Sequence, residues 1–446
     1  MGITGVPCSA LLETLDEARA SLTREAAAKG KMSWMEEKYQ VLARSPSYDN
    51  RHVVIDVQLD VYAAKRKKPE TGAEFVAHYF RTRVQPVLDS KTTLVLIFDN
   101  GSKTPRCKAA TQMKRRRNKA LVDLHFPIGD DEMLPVEREW YNLLATTPVR
   151  SRLFEYMLYG LTRAVEAYTD GMEEHYGTVY ASAPWLSTCH FGESKFTRGQ
   201  FLELTNLGPE LAPLPPVSCQ GEGDMLCYVW SNFLHDQQQD KPRDERKAVV
   251  VTSKDLDMIG IYSSMRSKGD VLLHITSSNA NDGQPRRYGF LDVRVLWEDV
   301  FAGSLQRGLH FTLSLVLSGS DFSEGVRGIN GLRIVRTALG LRPIKDPMKR
   351  SNAGNRSYFS QDNLMIRGHA SAPMVLKRRV ERILRTASTK KSFVFNQPFM
   401  LRRASWNLLY WANIENKPDP EAVEAWRTND KGIYLPIEDQ IKRKGM

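Results

Sequence analysis

Short apolar runs that end at an acidic residue recur along the chain and predict buried parallel strands. Runs of this length without alternation are typical of strands covered on both faces. An open α/β sheet places its active site at the carboxyl ends of its strands, so we expect the terminal acids to meet there. The runs are residues 53–57, 93–98 and 248–251, and the acids that follow or end them are Asp56, Asp99, Asp255 and Asp257.

Helical spacing of apolar positions predicts the elements between these strands. Residues 1–50 read as mainly helical, a helix is expected around Phe75 to Val87, and Glu222 and Asp224 open an amphipathic helix. Residues 289–297 read as a short strand or sheet edge. The apolar segment 313–317 is followed by one more acid, Asp321.

Residues 128–215 differ in composition from the rest of the chain. They are rich in aromatic residues and end in a cluster of prolines between Pro209 and Pro216. This shift predicts an inserted, mostly helical cap rather than more sheet.

Composition restricts the class of protein and its compartment. With 446 residues, 41% of them hydrophobic, the chain can form two or three domains or one large α/β domain with insertions. No run approaches the ~20 apolar residues of a membrane span, and no signal peptide is evident. Five cysteines without a Cys-x-x-Cys pair favour reduced thiols, so we expect an intracellular protein.

Positive charge is concentrated and favours a polyanionic partner. The formal net charge is +11, while residues 342–403 alone contain 15 Lys and Arg against 3 acids. A second basic run spans residues 103–119. Nucleic acid is the expected partner of such segments, although each could also be a solvated surface.

The acids define the candidate chemistry. Two of them, Glu222 and Asp224, start a helix, and two more, Asp255 and Asp257, follow a strand. Carboxylates that converge in this way repel one another unless cations lie between them. Oxygen-seeking Mg²⁺ or Mn²⁺ fits best, and two ions about 3.5 to 4 Å apart can hold the attacking and leaving oxygens of a phosphodiester.

Taken together, these motifs resemble the flap endonuclease and XPG family of structure-specific 5′ nucleases. The resemblance covers residues 1–6, 53–62, 94–117, 219–260 and 314–333, beginning with the Met-Gly-Ile-x-Gly start. It implies an α/β fold with a PIN-like, mostly parallel central sheet flanked by helices, a helical arch or cap insertion, a helix-two-turn-helix element and a basic C-terminal extension. The implied metal ligands are Asp56, Asp99, Glu222, Asp224, Asp255, Asp257 and Asp321.

The same resemblance assigns roles to residues that contact nucleic acid. Lys108 and Arg115 match arch residues that contact the scissile phosphate and would neutralise charge on it, with Arg116 beside them. Gly2 is implied to lie near the active site. Tyr62 matches an aromatic that stacks on a base, although an aromatic after a strand is as often part of the core. The turn that would grip the duplex backbone contains Gly325, Gly328, Asn330, Gly331 and Arg333.

Several positions depart from the family pattern. Asp224 stands where the family usually has Glu, and Asn330 replaces a turn glycine, which Asn tolerates because it can adopt left-handed φ/ψ. Gly325 replaces a side-chain oxygen ligand, which argues against the family's K⁺ ion at this turn. No sliding-clamp peptide is evident. This divergence would suit a copy from a large DNA virus.

The expected function is Mg²⁺- or Mn²⁺-dependent hydrolysis of DNA near single-strand to double-strand junctions, with two ions per site, in replication, repair or recombination. Flap, nicked and four-way substrates, RNA, and endonuclease or exonuclease action remain alternatives, as does a non-catalytic scaffold with the same fold. We expect a monomer without a membrane partner, in the nucleus or a viral replication compartment. The expected segments are 1–127 and 216–340 for the nuclease core, 128–215 for the cap, and 341–446 for the basic extension.

Overall fold

The computed structural model describes the parts of the chain that build the central sheet and most of its flanking helices. The described residues are 6–22, 50–64, 70–98, 125–135, 137–170, 176–182, 188–191, 194–197, 201–205, 223–253, 256–264, 267, 269–276, 288–319 and 330–341.

The described residues form an α/β structure around a seven-stranded, mostly parallel sheet. Its order is β6-β3-β2-β1-β7-β8-β9, in which only the two outer strands run antiparallel to their neighbours. A separate antiparallel pair, β4 and β5, lies outside this sheet. The strands are β1 (His52–Asp56), β2 (Thr93–Ile97), β3 (Thr178–Ser182), β4 (Thr188–Phe191), β5 (Ser194–Thr197), β6 (Phe201–Glu203), β7 (Val249–Thr252), β8 (Val271–Thr276) and β9 (Tyr288–Asp292).

The strand order creates a switch point between β1 and β7. From β1 the chain adds β2 and β3 on one side, then returns to add β7 and β8 on the other. The chain therefore continues in opposite directions along the sheet after β1 and after β7. Switch points of this kind are where open α/β sheets bind ligands.

Helices cover both faces of the sheet. The segment after β1 contains an α-helix, a single π-turn at Phe80–Val84 and a further α-helix, and a second π-turn at Leu296–Val300 follows β9. The α-helices are α1 (Cys8–Leu22), α2 (Val57–Ala64), α3 (Gly72–Tyr79), α4 (Gln85–Asp89), α5 (Glu137–Ala145), α6 (Thr147–Thr169), α7 (Gly223–Asp236), α8 (Asp257–Ser264), α9 (Val293–Val295), α10 (Leu305–Ser318) and α11 (Gly331–Ala338).

Alternate residues of one strand belong to two hydrophobic cores, which explains why the apolar runs do not alternate with polar residues. In β1, Val53 and Ile55 pack with α3, α5 and α6, whereas Val54 packs with α1, α7, α10 and α11. Both sides of the strand are fully buried. The prediction of parallel strands covered on both faces is confirmed.

The expectation that residues 128–215 add helices rather than strands to the sheet is wrong for Thr178–Glu203. Helices α5 and α6 do occur there, and Trp140 and Leu158 from them enter the core beneath the sheet. The same region then supplies β3, which pairs in parallel with β2, and the edge strand β6. Aromatic residues such as Tyr180 lie on these strands, so composition alone misassigned them.

One smaller prediction also needs correction. The strand expected over residues 289–297 ends at Asp292, because the Asp292 carboxylate accepts hydrogen bonds from the backbone N–H groups of Arg294 (2.8 Å) and Val295 (3.3 Å) and starts a helix. The apolar segment 313–317, for which the sequence predicted no element type, lies at the end of α10.

Helix α1 forms ion pairs with the π-turn at Leu296–Val300 and with α11. Arg19 donates to Asp299 at 2.8 Å, and Glu17 accepts two hydrogen bonds from Arg336 in α11. None of the described helices combines the length and the apolar character that crossing a bilayer requires.

Candidate active site

Asp56 is the last residue of β1 and lies at the switch point. It is buried, with 6% of its surface exposed. It faces Gly223, the first residue of α7, so closely that a Cβ atom at position 223 would lie 3.3 Å from Asp56 Oδ2. Glycine therefore allows the start of α7 to approach this carboxylate, and the positive end of the helix dipole favours an acid there.

Asp224 is the second residue of α7 and is tied to the strand beside β1. The hydroxyl of Ser253, which directly follows β7, donates to Asp224 Oδ1 at 2.7 Å. Ser253 is itself buried. This bond links the start of α7 to the carboxyl end of β7 and fixes the orientation of the Asp224 carboxylate.

The pKa of the Cys227 thiol depends on the charges at the carboxyl ends of β1 and β7. Burial raises the pKa of Cys227 well above its usual value, and the negative charges of Asp56 and Asp224 raise it further. Cys227 lies one helical turn after Asp224, within α7. Both carboxylates therefore project negative potential onto the same buried point, which would favour a cation nearby.

Asp257 follows the carboxyl end of β7, as Ser253 does. It is the first residue of α8 and is 2% exposed. Helices α7 and α8 pack against each other, and the hydroxyls of Ser231 and Tyr262 lie 2.6 Å apart between them. Three of the expected acids thus belong to elements that begin or end at the carboxyl edge of β1 and β7.

Other expected site residues lie outside the described part of the chain, so their predicted roles stay predictions. Tyr62 lies in α2, where only its backbone is described. Among the described residues, no three His, Cys, Asp or Glu side chains converge as a complete metal-binding group. The expected residues outside the described part are Gly2, Asp99, Lys108, Arg115, Arg116, Glu222, Asp255, Asp321, Gly325 and Gly328.

Of the turn expected to bind nucleic acid, the structure describes only the last residues, from Asn330 onward. Helix α10 packs against α11, which begins at Gly331, and Arg333 lies in the first turn of α11. Asn330 caps α11, because its Oδ1 accepts from the Leu332 N–H at 2.9 Å. Its φ of −67° and ψ of 129° are extended, so Asn330 does not use the left-handed conformation that Asn tolerates.

Two residues next to the acids were missed by sequence reasoning. Ser253 follows the apolar run of β7 directly, and that position was the available signal. Asp60 lies four residues after Asp56, one turn into α2, and is completely buried. Its carboxylate accepts from Arg83 Nε at 2.7 Å and from Nη2 at 3.1 Å, so this acid is neutralised within the fold.

Comparison with models of known protein families and with curated proteins finds no match for this sequence. The function must therefore be argued from the geometry of the acids and from the sequence motifs.

Proposed function

We propose that this protein is a divalent-metal-dependent nuclease with a PIN-like core, of the flap endonuclease and XPG type, which hydrolyses DNA near single-strand to double-strand junctions. One observation carries the proposal: Asp56, Asp224 and Asp257 all belong to segments at the carboxyl edge of β1 and β7, beside the switch point. That edge is where an α/β sheet binds its substrate.

The donor atoms suit a hard cation. The acids offer only carboxylate oxygens, which Mg²⁺ and Mn²⁺ prefer. Burial first, and then the negative charges of Asp56 and Asp224, raise the pKa of the Cys227 thiol, which supports a shared negative potential at this point. We assign metal binding to Asp56, Asp224 and Asp257 and, from the sequence motifs, to Asp99, Glu222, Asp255 and Asp321. When bound, two such ions supply a water of lowered pKa and stabilise charge on the departing oxygen.

The chain's own residues would prepare the site. Ser253 donates to one oxygen of Asp224 and would hold this carboxylate in one orientation. Gly223 brings the backbone at the start of α7 against Asp56. Lys108 and Arg115 would bind the scissile phosphate and balance the charge that develops on it.

Duplex binding is assigned to the segment that joins α10 and α11 and to the basic residues 342–403. Basic side chains would bind the phosphates without reading sequence. Asn330, the residue before α11, is exposed, and Arg333 adds a positive charge in the first turn of α11. Binding through phosphates should weaken steeply as salt concentration rises.

A panel of 5′-labelled substrates tests the proposal: flap, nicked, four-way and single-stranded DNA, and the RNA equivalents, each with Mg²⁺ and with EDTA. We expect Mg²⁺-dependent cleavage that Asp257→Asn abolishes while DNA affinity is kept. Asp240→Asn is the matched control, because Asp240 is an exposed acid in the turn after α7. The control should cleave like the parent protein.

The possible outcomes separate the alternatives. If no substrate is cleaved and Mg²⁺ leaves the melting temperature unchanged, the protein is a nucleic-acid-binding scaffold and the proposal fails. If Asp257→Asn loses DNA affinity and cleavage together, Asp257 has been assigned the wrong role.

A further inference from the structure

A polar cavity lies at the opposite edge of the sheet from the acids. Its volume is about 560 Å³, within the range of roughly 300 to 1,000 Å³ that is common for small-molecule sites. It is surrounded by the end of α7, the turn that leads to β7, the residues before β8, and the helical segment after β9. Its lining includes His235, Arg243, Arg246, Lys247, Asp270 and Arg294.

The lining carries more positive than negative charge. Arg243, Arg246, Lys247 and Arg294 face Asp270 and Glu298 around the cavity. Arg294 and Asp270 are 3.9 Å apart and both exposed, so their pairing is weak. An anion of charge −2 would balance the remaining charge of the lining.

Positive charges act on Lys247 and His52 at this end of the strands, whereas the charges of Asp270 and Asp236 act on His235. The pKa of Lys247 is lowered by burial and by the charge of Lys241. The pKa of His52, at the start of β1, is lowered to about 4 by burial first and then by Lys247, His235 and Lys241. Positive potential at Lys247 and His52 thus contrasts with the negative potential that Cys227 experiences at the other edge.

One of the arginines is held in place before any ligand arrives. Arg246 donates through Nε to the Lys241 carbonyl at 2.9 Å and through Nη2 to the Gln239 carbonyl at 2.7 Å. These bonds fix the plane of the guanidinium group, so little side-chain entropy is lost when it binds an acceptor. A fixed guanidinium suits the bidentate recognition of phosphate oxygens.

The back wall is rigid and partly apolar. His235 is 7% exposed, and Gly269 lies so close that a Cβ atom there would be 2.3 Å from His235 Nδ1. Val293 and Trp297 complete the wall, and Trp297 Nε1 is fixed by a 2.7 Å bond to the Tyr262 carbonyl. A bare phosphate ion would fill only a small part of this space, whereas its organic ester would fill more.

The cavity is separate from the acids. Lys247 and Ser253 lie six residues apart at the two ends of β7, which corresponds to roughly 20 Å along an extended strand. A ligand in the cavity would therefore not touch Asp56 or Asp224.

From this geometry we infer that the cavity binds a small phosphate monoester of nucleotide or sugar-phosphate size, with the arginines on the phosphate and the organic group against the back wall. The inference does not depend on nuclease activity.

Calorimetric titrations with inorganic phosphate, adenosine 5′-monophosphate, ribose 5-phosphate and adenosine test the inference. They should be run in EDTA, so that no metal at the acid edge binds phosphate. We expect at least one of the two esters to bind about tenfold or more tightly than phosphate, and adenosine not to bind. Which ester binds more tightly identifies the source of the phosphate.

The double variant Arg243→Gln/Arg294→Gln should weaken ester binding by about tenfold or more. Both side chains are exposed, so the fold should survive, which thermal unfolding checks. Arg163→Gln, an exposed arginine on α6, is the matched control and should bind like the parent chain.

Three results would overturn the inference. They are no ester binding up to about 5 mM, ester binding no tighter than that of phosphate or adenosine, and ester binding that the double variant leaves unchanged. In the first case, loss of duplex DNA affinity in the double variant would assign the arginines to a nucleic-acid surface.

Discussion

The Oγ atom of Ser253 lies 2.7 Å from Oδ1 of Asp224, and this bond joins the end of β7 to the start of α7. Ser253 has no charge of its own, yet its hydroxyl orients Asp224, which we propose as a metal ligand. A residue that holds a metal ligand in this way affects affinity and activity without contacting the substrate.

Replacing Ser253 with Ala should weaken Mg²⁺ binding by about ten- to a hundredfold, because Asp224 loses its fixed orientation. The loss of one buried hydrogen bond should lower the free energy of unfolding by only about 1 kcal/mol. Titrating Mg²⁺ while recording melting temperature and cleavage measures both effects.

Ser314→Ala is a suitable control for that experiment. Ser314 is also buried, and its hydroxyl donates to the Phe311 backbone carbonyl at 2.6 Å within α10 rather than to an assigned metal ligand. It should cost similar stability and leave the Mg²⁺ midpoint unchanged. Equal Mg²⁺ midpoints in the two variants would remove the positioning role from Ser253.

Two buried acids in one short segment should respond to Mg²⁺ in opposite ways. Asp56→Asn should remove most of the rise in melting temperature that Mg²⁺ produces, because this carboxylate is assigned to the metal site. Asp60→Asn should lower the melting temperature and keep that rise, because Asp60 binds Arg83 instead. Thermal unfolding with and without Mg²⁺ measures both. An unchanged Mg²⁺ response in Asp56→Asn would exclude Asp56 as a ligand.

Removing Arg83 from the Asp60–Arg83 ion pair should destabilise the fold more than Asp60→Asn does. Arg83→Gln leaves the Asp60 carboxylate, which has a side-chain exposure of 0%, without its guanidinium partner. We expect a loss of about 3 to 5 kcal/mol in the free energy of unfolding. Urea denaturation measures it.

The double variant Asp60→Asn/Arg83→Gln provides the check. It should recover part of the stability lost in Arg83→Gln, because no charge is left buried. A double variant less stable than Arg83→Gln would show that packing of the arginine stem, rather than charge, accounts for the loss.

Sequence reasoning succeeded where a local pattern determines the structure. Val54 and Leu96 lie in apolar runs that can only be buried on both faces. Strands β1 and β2 end within two residues of the acids expected to close them, Asp56 and Asp99, whereas β7 ends three residues before Asp255. The helix opened by Asp224 was also found, because its apolar spacing is regular.

Sequence reasoning failed where contacts between residues distant in the chain determine the structure. Tyr180 lies in β3, which becomes a core strand only because β2 offers a free edge, and no local signal shows this. The pairing of Asp60 with Arg83 joins residues 23 positions apart. The basic cavity gathers residues from four segments between 235 and 298, none of which is unusual alone.

The stability of the fold should fall in mild acid because of His52. Its Nδ1 accepts a hydrogen bond from the Thr93 N–H at 3.1 Å, which requires that nitrogen to be unprotonated. Burial and the charges of Lys247, His235 and Lys241 lower its pKa from 6.5 to about 4, against a weaker opposing bond with Gln238. Between these pH values the unfolded chain binds more protons than the folded one, so the free energy of unfolding decreases as pH falls.

The full effect of His52 is on the order of 3 kcal/mol, present above pH 6.5 and lost by about pH 4. Urea denaturation at several pH values in this window measures it. His52→Asn keeps an acceptor near the Thr93 N–H and cannot titrate, so its stability should fall less steeply. His235 contributes to the pH dependence that remains in His52→Asn, because burial also lowers the pKa of His235. Identical slopes for the parent chain and His52→Asn would show that His52 is already protonated in the folded protein.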